Sequence, residues 1–208
     1  MDYEEKDFKK KFQKIIDLLD LFLLEECSRC KHKVKISILD GECPRCKEVA
    51  ISGDLYPDIC EIYQQLFIDA IHGCMDEKIS SREDYRSHFI RDYTSLETFL
   101  LQVAEELMRK KHMNDKIISF IFEEMKPDIR LYFRLLDSLD VKLEKKDKAF
   151  IESLRKIQEI RNKIVHKAYH PSEEETLGAF EKIAKVFYIL HPYSIFTKKR
   201  KIGPAEWI

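Results

Sequence analysis

The sequence predicts a mostly α-helical protein: a helical bundle with a small β-hairpin module inserted near the N-terminus. Three observations carry that expectation. Apolar residues recur at three- and four-residue spacing through most of the chain, the period of a helix that buries one face. Only five Gly and six Pro occur in 208 residues, so turn chemistry is confined to a few places. Four cysteines fall into two CxxC pairs, Cys27 with Cys30 and Cys43 with Cys46, enclosing a short stretch of alternating apolar residues.

Composition narrows the function classes. Hydrophobic residues make up 44% of the chain and include thirteen Phe and nine Tyr, enough for a real core. The length suits one medium domain with an appendage and excludes a large multidomain enzyme. Lys and Arg number 37 against 38 Asp and Glu, for a net charge of -1, so nucleic-acid contact has to come from a local patch. The opening MDYEEKDFKKKFQ lacks the apolar stretch of a secretory signal, and no segment approaches the roughly 18 uninterrupted apolar residues of a membrane span. A soluble cytoplasmic protein without a membrane partner is expected.

Residues 1–26 read as an amphipathic helix with Phe8, Phe12, Ile15, Leu19 and Leu23 on one face. Residues 27–52 form the four-cysteine module, in which Val34, Ile36 and Ile38 alternate as a strand and Asp40-Gly41 supplies a tight turn. Residues 53–80 are a connecting helix, with Pro57 in its first turn and with Cys60 and Cys74 as small buried residues. Residues 81–195 form the main helical domain. Ser80 and Glu83 have capping-box spacing ahead of a long helix to about Lys111, carrying Phe89, Tyr93, Leu96, Leu100, Val103 and Leu107 inward. Helices over 115–125 and, beyond Pro127, 128–139 follow, and VKLEKKDK is a solvent-facing connection. A helix over 148–165 buries Phe150, Leu154, Ile157, Ile160 and Ile164, and the last helix starts behind the Ser172–Glu175 capping signature, with Phe180, Ile183, Phe187 and Leu190 inward. Residues 196–208 are a basic tail containing KKRK.

Two closely spaced thiolate pairs surround a zinc ion tetrahedrally when a hairpin joins them, and the twelve residues between Cys30 and Cys43 suffice for one. Cys27, Cys30, Cys43 and Cys46 are therefore expected to hold a structural Zn2+, since four thiolates leave no open position for an activated water. CSRC at 27–30 and CPRC at 43–46 resemble the knuckles of the zinc-ribbon family. Arg29, Lys31, Lys33, Lys35, Arg45 and Lys47 surround them, as phosphate contacts or as the solvating and docking surface of a small core.

The segment RNKIVH at 161–166 combines a guanidinium suited to a phosphate with an imidazole that titrates near neutrality. Asn162 and His166 share a helical face, whereas Arg161 and His166 lie about 140° apart around an ideal helix. Bending, side-chain reach or a symmetric dimer would have to bring those two together. RNKIVH, with the helices around it over roughly residues 83–190, resembles the HEPN domain superfamily, whose nuclease motif sets an arginine, commonly followed by a polar residue such as Asn, and then a histidine after four to six intervening residues, here four. The resemblance implies a HEPN-like bundle and a metal-independent endoribonuclease, frequently dimeric, of a toxin-antitoxin or antiviral defence system. It assigns Arg161 to the phosphate, His166 to proton transfer and Asn162 to orienting substrate or the motif helix. It also implies RNA, a second copy of the chain, and an antitoxin or defence-system protein as partners. Glu97 resembles an acidic residue that some members place near the site, and Tyr169 a tyrosine downstream of the histidine in one toxin branch, at a spacing one residue longer. The alternative expectation is a noncatalytic RNA-binding or protein-interaction module, in which Arg161 and His166 form a recognition or dimer surface.

Overall fold

A computed structural model of the chain describes Ile15 and residues 24–26, 33–35, 45–47, 62–80, 84–125 and 127–193. Seven α-helices account for most of them: α1 (Ile62–Ser80), α2 (Arg86–Lys110), α3 (Asp115–Ser119), α4 (Ile129–Ser138), α5 (Lys145–Ser153), α6 (Arg155–Lys167) and α7 (Glu173–Leu190). A π-helical turn, Phe120–Glu124, follows α3, and a 3-10 turn, His191–Tyr193, follows α7. No described helix is long and apolar enough to cross a membrane.

α2 is central because one of its faces is apolar along nearly the whole length. Phe89, Tyr93, Leu96, Phe99, Leu100 and Val103 recur at helical spacing and are all buried. That stripe packs against α1, α3, α4, α6 and α7. Between α1, α2 and α7 lies an aromatic cluster. Phe187 sits 4.8 Å from Phe99, 5.1 Å from Tyr63 and 5.2 Å from Phe67 between ring centroids, edge to face in each case, the arrangement that the ring quadrupoles favour. Close approach of α1 and α2 depends on Gly73: a Cβ there would lie 2.2 Å from Cε1 of His88.

Several terminators are chemically explicit. Asp128 caps α4 by accepting from the Leu131 amide at 2.8 Å, as the break at Pro127 requires. Ser172 and Glu175 form the full capping box of α7, with Glu175 N donating to the Ser172 hydroxyl and Ser172 N donating to the Glu175 carboxylate. Ala168, at φ 49°, ends α6 in the left-handed region.

Other boundaries differ from the sequence reading. Ser80 closes α1 instead of capping α2, which begins after Asp84, whose carboxylate binds the Arg86 side chain at 2.6 Å and 2.9 Å. The single helix expected over 148–165 is two, α5 and α6, parted at Leu154, whose fully buried side chain anchors the junction. Past residue 119 the 115–125 helix widens into the π-turn.

The fold class is corrected at the N-terminal end. The described strands, β1 (Leu24–Glu26) and β2 (Lys33–Lys35), pair antiparallel with Leu24 opposite Lys35 and Glu26 opposite Lys33. The described partner of β2 thus lies ahead of Cys27, and the turn expected at Asp40-Gly41 falls outside the described residues. The expected hairpin between the two cysteine pairs does not occur among the described residues, and no zinc-ribbon module is found among them. β1 also ends the 1–26 helix early; Ile15 is helical and buried, and the rest of that segment lies outside the described residues. So do Cys60 and the KKRK tail. What stands is a mostly α-helical bundle.

One buried group runs against the apolar pattern. Asp92 on α2 is fully buried, and among the described residues neither of its carboxylate oxygens has a hydrogen-bond partner. Burial alone pushes its pKa well above the usual carboxylate range. A carboxyl whose pKa is raised by folding supports the fold below its unfolded value near 3.8, and that support is lost as the pH rises through the folded pKa. Asp92→Asn, which cannot ionise, is expected to flatten this loss; urea unfolding at pH 5 and pH 8 should show a smaller drop in stability than in the wild type, and an equal drop would show that Asp92 does not titrate in the fold. Phe187→Ala is expected to cost about 3–5 kcal/mol in the same unfolding experiment, the usual range for emptying a buried aromatic site; a loss below about 1 kcal/mol would remove Phe187 from the centre of the core.

Candidate functional site

α6 carries the RNKIVH segment, and its apolar stripe decides which of those residues face outward. Ile157 and Ile164 are buried, so the helix is docked through that side. Arg161 lies at the edge of the stripe and is half-buried, while Asn162, Lys163, Val165, His166 and Lys167 are exposed.

Arg161 is held in place from two directions. Its guanidinium carbon sits 5.6 Å from the centroid of the buried Tyr93 ring on α2, and Nη1 donates to Oδ1 of Asn162 at 3.1 Å. Glu97, one turn beyond Tyr93 on α2, is half-buried in the same place and accepts a hydrogen bond from the Tyr93 hydroxyl. Burial raises the pKa of Glu97, against the opposing pull of the Arg161 charge and the Tyr93 hydrogen bond. Burial and the Glu97 carboxylate together push the Tyr93 phenol far up. Tyr132 on α4 is raised to about 12, first by burial and then by Glu97 and Glu105. The result is a polar seam along the α2–α6 contact, in which a cation, a carboxylate and two neutral phenols are largely withdrawn from water.

His166 belongs to a different environment. It stands exposed near the end of α6, about 140° around the helix from Arg161, and among the described residues no hydrogen bond joins the two. One copy of the chain therefore brings Arg161 and Asn162 together and leaves His166 apart. Beyond His166 the chain turns back through Tyr169, whose hydroxyl lies 3.0 Å and 3.1 Å from the two Glu175 oxygens and whose ring faces the Lys163 ammonium at 5.8 Å. The Glu175 hydrogen bond raises the Tyr169 pKa.

The sequence reading has Tyr93 as a core residue and ties Glu97 to the site only through the family resemblance. The signal for pairing them was their four-residue separation on α2, which sets both on one side of the helix; nothing in the sequence placed that side against Arg161. Tyr132 carried no signal of its own.

The zinc expectation is corrected here. A tetrahedral ion needs donors converging to about 2.3 Å from the metal, and among the described residues no group of three or more His, Cys, Asp and Glu side chains could hold one. Of the four cysteines, Cys46 is described; Cys27, Cys30 and Cys43 lie outside the described residues. The chain matches no protein-family model, no curated protein and no solved structure. Membership of the HEPN superfamily is therefore corrected as well, together with the zinc-ribbon label, and the ribonuclease label loses the family resemblance it rested on. The fold and side-chain geometry carry the site alone.

Removing the Arg161 charge should raise the Glu97 pKa further, because that charge is the first of the two influences holding it down. In Arg161→Met, NMR titration of the Glu97 side-chain carboxyl is expected to show a midpoint above that of the wild type. Glu97 supports folding below about 4.5 and ceases to as the pH rises through its folded pKa, so the same variant should extend that window upward. An unchanged midpoint would mean that the two groups are not electrostatically coupled.

Proposed function

We propose that the outer end of α6 and the turn behind it bind single-stranded RNA through phosphate contacts and base stacking, in the cytoplasm, without a metal. The observation that carries this reading is a charge vacancy of one sign. Residues 160–172 contain no Asp or Glu in a chain with 38 of them, but do contain Arg161, Lys163, His166, Lys167 and His170. This stretch ends a helix, where the macrodipole places about half a negative charge; the three permanent cations outweigh it several-fold. Of the acids around this stretch, Glu159 pairs with Arg155, Glu173 accepts from the Tyr85 hydroxyl, Glu175 caps α7 and accepts from Tyr169, and burial raises the pKa of Glu97; Glu174 stands exposed in the first turn of α7. Lys163 and Lys167, one turn apart, supply phosphate contacts, and the rings of Tyr169, His166 and His170 offer faces on which bases stack with little sequence preference.

A second reading is RNA cleavage by the same residues, with Arg161 and Asn162 on the phosphate and His166 in proton transfer. Exposed Val165, 52% accessible on the same helix end, favours it, because an apolar side chain there suits a symmetric pairing of two α6 helices that would bring His166 of one copy to Arg161 of the other. A protein partner that blocks this end would act as an inhibitor on either reading.

Fluorescence anisotropy with a labelled oligouridylate tests both. Saturable binding is expected at low salt, and Lys163→Ala with Lys167→Ala should lower the magnitude of the log–log salt slope by about 1.4, or about 0.7 for each lost contact. Tyr169→Ala should cost about 1–3 kcal/mol if a base stacks there. No saturable binding, or variants indistinguishable from wild type, would sink the reading. Products ending in a 2',3'-cyclic phosphate, formed in the presence of a chelator and lost in His166→Ala, would select cleavage over binding alone.

A further inference from the structure

On the other side of α6's first turn, α4, α5 and the start of α6 enclose a cavity of about 170 Å³. Its floor is apolar: Ile129 and Phe133 from α4, Ile151 from α5, and Leu143 from the connection between them. Ile129, Phe133 and Ile151 are buried and Leu143 is partly so, which leaves Leu143 at the mouth.

The rim is charged, and most of its charges already have partners. Arg130 lies 3.6 Å from Glu152, Lys148 lies 3.0 Å from Asp137, and Arg155 lies 3.1 Å from Glu159. Both acids of the lining, Asp137 and Glu152, are therefore taken. Arg134, exposed on α4, has no carboxylate partner among the described residues. An apolar chamber with one uncompensated guanidinium at its edge calls for a ligand with an apolar body and one negative charge. A cation would meet Arg134 and three further positive side chains. A neutral apolar molecule would leave Arg134 unused, and a dianion would have to break an existing ion pair to be neutralised. The planar guanidinium also matches a carboxylate in the two-point geometry that a point charge lacks.

We propose that this cavity binds a small amphiphilic monoanion, an aryl or branched-alkyl carboxylate, with its apolar body on Phe133 and Ile151 and its carboxylate on Arg134. The site is distinct from the outer end of α6 and does not rest on RNA binding.

Isothermal titration of the full chain with 2-naphthoate tests it, with the neutral 2-naphthamide as control. Saturable one-to-one binding of the naphthoate is expected, with a dissociation constant of about 1 mM or tighter for a ligand of this size. The amide should bind roughly tenfold more weakly, for want of the charge-assisted hydrogen bond. Arg134→Gln should weaken the naphthoate by a similar factor while leaving the amide unchanged, and Leu143→Trp, which fills the mouth, should abolish both. Lys163→Ala with Lys167→Ala, both exposed and outside the lining, should leave naphthoate affinity unaltered, which separates this outcome from any result with RNA. Absent saturation, or equal naphthoate affinity in wild type and Arg134→Gln, overturns the proposal; because Arg134 is exposed, that variant stays informative even if Leu143→Trp fails to fold.

Discussion

The bundle depends on how the inner side of α2 is shared among its neighbours. Twenty-five residues of one helix supply the surface on which α1, α4, α6 and α7 come to rest, and the rings near its middle set the distances. Phe99 is the pivot. It lies 4.7 Å from Tyr63 of α1 and 4.8 Å from Phe187 of α7, so a shift of either helix disturbs its contact with the other as well. Close-packed interiors transmit such shifts instead of absorbing them. The position of α6, and with it the orientation of everything on its outer side, follows from the same core, because Ile157 and Ile164 belong to the buried cluster that includes Tyr93 and Leu96.

Polarity along α2 is graded in a way that this packing explains. Asp92 is sealed within the core with no partner among the described residues, whereas Glu97, little more than one turn on, reaches the edge where Arg161 and Tyr93 meet it. Desolvation raises both carboxyls, but at Glu97 a guanidinium and a phenol oppose it, and at Asp92 nothing does. Asp92 is therefore a cost that the core carries, and Glu97 is part of a seam that fixes the angle of α6. Arg161 is spent largely on that seam, because its side chain is held by the Tyr93 ring and by Asn162.

Much of this was legible in the sequence where a pattern reports a local cause. The helices of the main domain, the Ser172–Glu175 box and the inward sets of α2 and α7 follow from periodicity and capping chemistry, both of which act within a few residues. The failures have equally physical causes. Ser80 and Glu83 have the right spacing for a cap, but spacing does not say which helix reaches the position first, and α1 continues through Ser80. Val34 and its neighbours alternate as a strand should, yet alternation does not name the partner strand, and the ladder formed with Leu24–Glu26 instead. The same limit applies to RNKIVH. Six residues on one helix read as a catalytic unit only if something outside the segment bends the two ends together, and α6 separates them.

That separation also shapes what the outer end of α6 is able to do. A catalytic histidine has to be oriented by a neighbour and brought within about 3 Å of the proton it moves, and His166, exposed at a helix end, receives neither condition from its own chain. Binding makes weaker demands. Phosphates are attracted by charge that falls off slowly with distance, and bases stack on any accessible ring, so the proposed binding asks of the lysines beside Tyr169 no fixed geometry. A helix docked by its inner stripe, relieved of acids on its outer end and followed by a ring held against Glu175 meets the second set of conditions in a single copy. The first set requires another copy, and its geometry would come from the interface rather than from the fold.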